Sequence, residues 1–215
     1  MKHSKSKFWL LAIGCWLLTI GTEARPYLKD LNIHVVLSKN GDARITETRQ
    51  MSIDSEGTEC YIVIGNLNGS EVSDLTVSDE TGLTFTNTGS WDIDRSRSWK
   101  EGKCGIVTKH NGYELCWGLG DSGNRPYVTN YTITSLVHAY PDADAIRHVF
   151  LDQDVSPKPD KAKISIEAED SILFTEENCV IWGFRFGGEL GFDEGKIIAY
   201  NTEDFGYNGA LYIMV

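Results

Sequence analysis

The chain has 215 residues, 41% of them hydrophobic, and a formal net charge of −11 at pH 7. That length allows one sizeable core or two small ones. The acidic balance rules against nucleic-acid binding and against attraction to anionic lipid, since both need a cationic face.

The first 24 residues read as a signal peptide. Lys2, Lys5 and Lys7 precede the apolar run Phe8–Ile20. That run fits the ~7–15 residues of a signal core and falls short of the ~20 that span a bilayer comfortably. Thr22-Glu23-Ala24 supplies a cleavage site, and the mature chain then starts at Arg25. An uncleaved signal anchor is the alternative. A lipoprotein box at Gly14-Cys15 is set aside, because the apolar run continues past Cys15. Residues 25–215 are thus expected on the extracytoplasmic face of a membrane.

Leu31–Ile53 reads as a hairpin. Leu31, Ile33, Val35 and Leu37 share one parity, and Ala43, Ile45, Met51 and Ile53 share another. Side chains alternate along a strand, so each set lines one face. A two-residue Asn40-Gly41 turn would put the two apolar sets on opposite faces. A three-residue loop, Lys39-Asn40-Gly41 with Gly41 left-handed, pairs Val35 with Ile45 and Leu37 with Ala43. This register turns Glu47 inward, opposite Ile33, and a buried carboxylate needs a partner. Arg44, Arg49 and Arg185 are the candidates.

Further strands follow at turn-punctuated spacing. Glu59–Ile64 is a continuous apolar run and predicts a fully buried strand. Val72–Val77 and Leu83–Phe85 predict a second hairpin, and Gly105–Leu119 a third. Trp91–Lys100 is an edge strand or a surface loop. Gly118, Gly120 and Gly123, with Asp121 and Asn124, suggest a loose loop. Tyr127–Tyr140 is the longest strand candidate, rich in β-branched and aromatic residues. Ala145–Leu151 is strand or helical turn. Pro157-Lys158-Pro159 is the one linker-like spot, and Lys161–Ala168, Cys179–Phe186, Lys196–Tyr200 and Ala210–Val215 read as strands again. The glycines between Gly183 and Gly191 read as turns. No helix-period segment of useful length occurs after residue 25. The pattern predicts an all-β, antiparallel β-sandwich, immunoglobulin-like or larger. Its apolar last residues, Leu211–Val215, suggest a chain cut at the end of a domain of a longer protein.

Four cysteines follow the signal segment: Cys60, Cys104, Cys116 and Cys179. An exported chain with an even count permits two disulfides, and free buried thiols are the equal alternative. Their spacing does not match a zinc site. Asp92/Asp94, Asp142/Asp144 and Asp152/Asp154 lack the full calcium-loop pattern and read as solvated turn acids, so no metal is expected. The histidines are dispersed and show no nucleophile context. Trp91, Asp92, Asp94, Trp99 and Asp121 are candidates for a ligand surface, flat aromatics beside acids being suited to sugars. Two of Asp92, Asp94, Glu114 and Asp121 in one cleft would suit glycoside hydrolysis, which needs carboxyls ~5–9.5 Å apart.

Tyr27–Ile33, the turn and strand Asn40–Glu47, the long strand Tyr127–Val137 and Ile181–Phe186 together resemble the N-terminal domain of the DUF2207 family of predicted membrane proteins. The resemblance covers about residues 27–215 and rests on fold-type motifs. It implies an extracytoplasmic β domain followed by transmembrane helices beyond Val215. The family's activity is uncharacterised, so no catalytic residue or cofactor carries over, and the four cysteines depart from many members. The expectation is a cell-envelope binding or assembly module with a protein or glycan partner. The alternative is an envelope hydrolase of glycan or peptide, using carboxylates of the Trp91–Asp121 region.

Overall fold

The structure, a computed structural model, describes residues 27–215 apart from Asn66, Asn68, Ser156 and Ser171. The segment read as a signal peptide lies outside the described residues. No helix among the described residues is long and apolar enough to cross a membrane.

The chain opens with β1 (Tyr27–Leu37) and β2 (Ala43–Ile53), then β3 (Glu59–Gly65), β4 (Val72–Ser78) and β5 (Thr86–Ser90). A single helical turn, α1 (Arg97–Lys100), leads into β6 (Lys103–Lys109), β7 (Gly112–Gly118) and the long β8 (Gly123–Ile133). The short β9 (His138–Ala139) and β10 (Asp144–Ala145) precede β11 (Arg147–Leu151) and β12 (Pro159–Ala168). β13 (Trp182–Phe184), β14 (Gly188–Asp193), β15 (Lys196–Asn201) and β16 (Leu211–Met214) complete it. The fold is all-β and sandwich-like. A seven-stranded sheet runs β14-β15-β12-β1-β2-β8-β4, and a four-stranded sheet runs β3-β7-β6-β5. A three-stranded sheet, β11-β16-β13, and the β9–β10 pair accompany them.

β1 and β2 pair in the bulged register: Val35 faces Ile45, Leu37 faces Ala43, and Ile33 faces Glu47. Gly41 has φ +87°, the left-handed conformation that only glycine adopts cheaply. The amide of Ser38 donates to the Asp42 carbonyl (2.8 Å) and closes the loop. Val35, Ala43 and Ile45 are essentially inaccessible. Burying a side chain such as Val35 or Ile45 contributes about 1.5–3 kcal/mol. The facing layer presents Ile62, Ile64, Leu115 and Trp117, all buried. Contact across the sandwich is direct: Trp117 packs on Tyr127 (ring centroids 5.8 Å), and the Cys60 thiol meets the Met51 thioether at 3.6 Å.

Several expectations are corrected. β3 is not buried on both faces. It forms the edge of its sheet, so Ile62 and Ile64 point inward while Tyr61 is exposed. Leu83–Phe85 makes one isolated bridge, Ser78 to Thr84, and not a hairpin strand. Trp91–Lys100 forms turns and α1, whose first turn is capped by Ser96. The supposed loose loop ends early, because Gly123 and Asn124 already pair with Ile53 and Ser52. The long strand stops at Ile133, where Ser135 turns the chain with φ +49°. Ala145–Leu151 resolves as strand. Of Cys179–Phe186 only Trp182–Phe184 is strand, and the Gly-rich stretch after it is β14.

The linker-like Pro157–Pro159 joins no second body. Pro159 starts β12, which lies parallel to β1 with Ile33 opposite Ile164 and Val35 opposite Ile166. β5 and β6 are parallel as well, so the sandwich is mainly and not wholly antiparallel.

Candidate functional site

The acids and tryptophans of the 91–121 stretch do not form a common surface. Trp91 is buried at 5% exposure, its indole nitrogen donating to the Glu59 carboxylate. Trp99 packs on Trp91 (6.1 Å) and lies beneath Arg95 and Lys103 as a cation–π platform. Asp92 is spent on its own turn, accepting from the Asp94 amide (3.0 Å) and from Arg95 Nε (3.0 Å). Glu114 pairs with Lys109 on the β6–β7 hairpin (3.0 Å), and Asp121 is almost fully exposed. Five cavities among the described residues are lined by residues other than Asp92, Asp94, Glu114 and Asp121, and where a cleft between these carboxylates was expected there is a packed tryptophan pair and a solvated rim. Asp152 accepts from the Asp154 amide (2.8 Å), a turn contact like that of Asp92. Among the described residues no three His, Cys, Asp or Glu side chains gather as a metal site.

The four cysteines carry free thiols. The register shows why three of them do not pair. Cys60 and Cys104 both sit opposite Trp117, on either side of β7. Two strand spacings separate them by about 10 Å, beyond the ~7 Å Cα limit for bridging. Cys116 is the neighbour of Trp117 and points to the other face. Cys179 sits in a turn, its amide bonded to the Thr175 carbonyl (3.0 Å). Burial pushes the Cys60 and Cys104 thiols up to about 11. Burial, with Glu59 and Glu114 nearby, pushes Cys116 to about 12, so all three are poor nucleophiles.

Glu47 lies between the sheets with no exposed surface, and its partner is Arg49, two residues along the same strand and on the same face. Arg49 Nη2 and Nε donate to Glu47 Oε2 at 2.7 and 3.1 Å, and the Tyr131 hydroxyl donates to Oε1 at 2.7 Å. Burial alone lowers the guanidinium's pKa, but the adjacent carboxylate overcomes this and holds it above its ordinary value. Burial and the same carboxylate hold the Tyr131 phenol well above its usual range. A second buried cation escapes a reading of the sequence. Lys100 is 1% exposed and reaches Glu59 (3.1 Å), Thr58 Oγ1 (3.2 Å) and the Ile93 carbonyl (2.7 Å).

The three-stranded sheet carries the most developed surface. Arg147, Trp182 and Met214 are register partners, as are Val149, Phe184 and Tyr212. Directly paired residues share a face, and so do residues two apart. All six therefore stand on one outer face, with Trp182 and Phe184 exposed, while Ile213 and Leu211 close the core behind them. Phe184 packs on Tyr212 (5.1 Å), and Arg147 lies over the Tyr212 ring (5.7 Å) while donating to its hydroxyl. Beside this face a cavity of about 450 Å³ is lined by Arg147, His148, Asp152, Gln153, Arg185 and Tyr212. Arg185 Nη1 donates to the Gln153 side chain (2.8 Å), and its backbone is left-handed at φ +66°. A non-glycine residue held there costs about 1–3 kcal/mol, a strain common at ligand sites. Among the described residues neither arginine forms an ion pair. His148 is buried against Phe150 (4.7 Å), and burial lowers its pKa to about 4, so its ring is neutral at pH 7. The exposed period-two aromatics Trp182 and Phe184 were the available signal; reading Cys179–Phe186 as one continuous strand, without asking which face its aromatics share, hid them.

No family model matches the chain. No curated protein matches it by sequence. Solved structures match it in fold. Leukotriene A4 hydrolase of the yeast Saccharomyces cerevisiae aligns over 88% of this chain and 28% of its own length, with 8% identity and a TM-score of 0.50. An M1 zinc metallopeptidase of Deinococcus radiodurans aligns over 88% of this chain and 42% of its own, with 11% identity and a TM-score of 0.44. The chain thus spans less than half the length of either protein, and identities of this size speak to fold alone.

Proposed function

We propose that the chain is a non-enzymatic binding module: the extracytoplasmic β-sandwich of a cell-envelope membrane protein, as its resemblance to the DUF2207 family implies, with the Arg147–Arg185 face as its contact surface. The observation that carries the reading is the pair of arginines that form no ion pair among the described residues, set around a cavity with one acid, Asp152, and beside exposed aromatics in a chain of net charge −11. In an acidic protein, cations left unpaired around a cavity favour an anionic ligand. Flat rings at Trp182, Phe184 and Tyr212 suit the apolar faces of sugar rings, and the guanidinium fork suits a carboxylate. An acidic polysaccharide satisfies both chemistries.

Titration of the purified chain with oligogalacturonate, with dextran as neutral control, tests this. The charged oligosaccharide is expected to bind and dextran to bind at least tenfold more weakly. Replacing both Arg147 and Arg185 by Ala should lower affinity at least tenfold, and added salt should weaken what remains. Equal binding of the two sugars, or unchanged binding by the double variant, contradicts the proposal.

A further inference from the structure

The seven-stranded sheet is open at β14. Among the described residues this strand pairs only with β15, and Gly188–Asp193 makes no backbone bond to any other segment. The opposite edge, β4, is covered: the Phe85 amide donates to the Val77 carbonyl (2.8 Å) and the Asn87 side chain to the Leu75 carbonyl (2.8 Å). A two-residue turn, Glu194-Gly195 with φ +47° and +76°, joins β14 to β15. Its flanking residues, Asp193 and Lys196, form a hydrogen-bonded pair, and such pairs alternate along an antiparallel ladder. Glu189 and Gly191 therefore bond to β15, while the amides and carbonyls of Leu190 and Phe192 point away from it. The Leu190 and Phe192 side chains are half-buried and pack on the core. The other face of the strand carries Glu189 and Asp193, both exposed, on either side of Gly191. A Cβ added at Gly191 would meet nothing within 4 Å, so the space between the two acids is open. Lys196, the cation across from Asp193, is taken by Glu167 (2.5 Å).

We infer that β14 is a docking edge for an extended segment of a partner protein, one that alternates apolar with basic residues. The incoming backbone bonds to Leu190 and Phe192, and its apolar side chains continue the core layer beside theirs. Its basic side chains stand opposite Glu189 and Asp193, where opposite charges stabilise a sheet. A second copy of this chain fits badly. The antiparallel register that pairs Leu190 of one copy with Phe192 of the other also sets Glu189 opposite Asp193, and like charges directly opposite are destabilising. The edge acids thus favour a basic strand and turn away the chain's own.

The test is an NMR titration of the purified chain with three blocked heptapeptides. The first is Thr-Lys-Val-Thr-Val-Lys-Thr. The second has Glu in place of both Lys. The third keeps the charges of the first but is N-methylated at both Val, which removes the donors that face β14. The first peptide is expected to bind and to shift the Leu190 and Phe192 amides, with the other two each at least tenfold weaker. The double variant Glu189→Lys with Asp193→Lys should reverse the preference between the first two. No binding of the first peptide at millimolar concentration overturns the inference, and so do shifts that spare Leu190 and Phe192. An acidic or N-methylated peptide that matches the first overturns it as well, as does a double variant that binds like the wild type. If that variant fails to fold, the order of the three peptides on the wild type decides. A chain that dimerises in sedimentation, and loses this in Leu190→Pro, would give the edge to a second copy and also overturn it; proline is tolerated at an edge position whose amide faces outward.

Discussion

Glu47 shows how a single register choice propagates. The left-handed Gly41 adds one residue to the loop, the slip turns Glu47 inward, and the next inward residue on β2 is the arginine that neutralises it. A buried pair contributes little net stability, but removing one partner leaves an uncompensated charge in the core. Glu47→Gln is therefore expected to destabilise the fold by about 3–5 kcal/mol in urea unfolding. The double replacement Glu47→Leu with Arg49→Met should cost less than this single change. An unchanged midpoint for Glu47→Gln would show the pair to be dispensable. His148 predicts a pH effect of definite sign. Its pKa falls from 6.5 to about 4 on folding, so the unfolded chain takes up the proton first. Stability is unaffected above pH 6.5 and declines as pH falls from there toward 4. Between pH 7 and pH 5, above most carboxylate titration, the loss should be about 2 kcal/mol. His148→Leu should flatten that slope in urea unfolding. A slope equal to the wild type's would assign it elsewhere.

Elements were legible in the sequence wherever alternation was unbroken. The β1–β2 hairpin, its register and its loop follow from parity and one Asn-Gly pair. β4 shows where that reading stops. Strict alternation puts Val72 opposite in sense to Leu75 and Val77, yet all three are buried. Asp74, at φ +58°, makes this possible: the ladder shifts between Ser73 and Thr76, and the bulge brings both sets to the core face. Nothing in the run VSDLTVS marks that residue in advance. α1 is similar. Its end rests on β7 because Gly118 has no side chain; a Cβ there would stand 2.0 Å from the Lys100 carbonyl oxygen. That close approach carries Lys100 into the core to meet Glu59, a contact between distant segments that composition cannot show. The arginine face has the same origin. Arg147, Phe184 and Tyr212 come from three separate segments and meet only through the register of β11, β16 and β13.

At the scale of the molecule, the all-β class was readable from turn spacing, whereas the strand order was not. Residues 157–159 look like a linker because proline breaks local pattern, but Pro159 sits on the first position of a strand, where proline is tolerated. β12 then enters between β1 and β15 and lies in the middle of the large sheet. A chain ending at Val155 lacks that strand and leaves β1 with one bare edge. It is expected to show no cooperative thermal transition by circular dichroism. A sharp transition would mean that residues 27–155 fold alone.

The same parallel pairing sets an order of events. His34 and Glu167 meet at 2.9 Å although 133 residues separate them. Contacts of such long separation must close a large loop before they return any energy, which makes folding slow. During synthesis β1 and β2 emerge first and wait, one edge unsatisfied, until most of the chain has followed. An open strand edge is a template for pairing with other chains. The first hairpin is thus the segment most exposed to misassembly while the polypeptide is incomplete, and only the arrival of β12 retires that hazard.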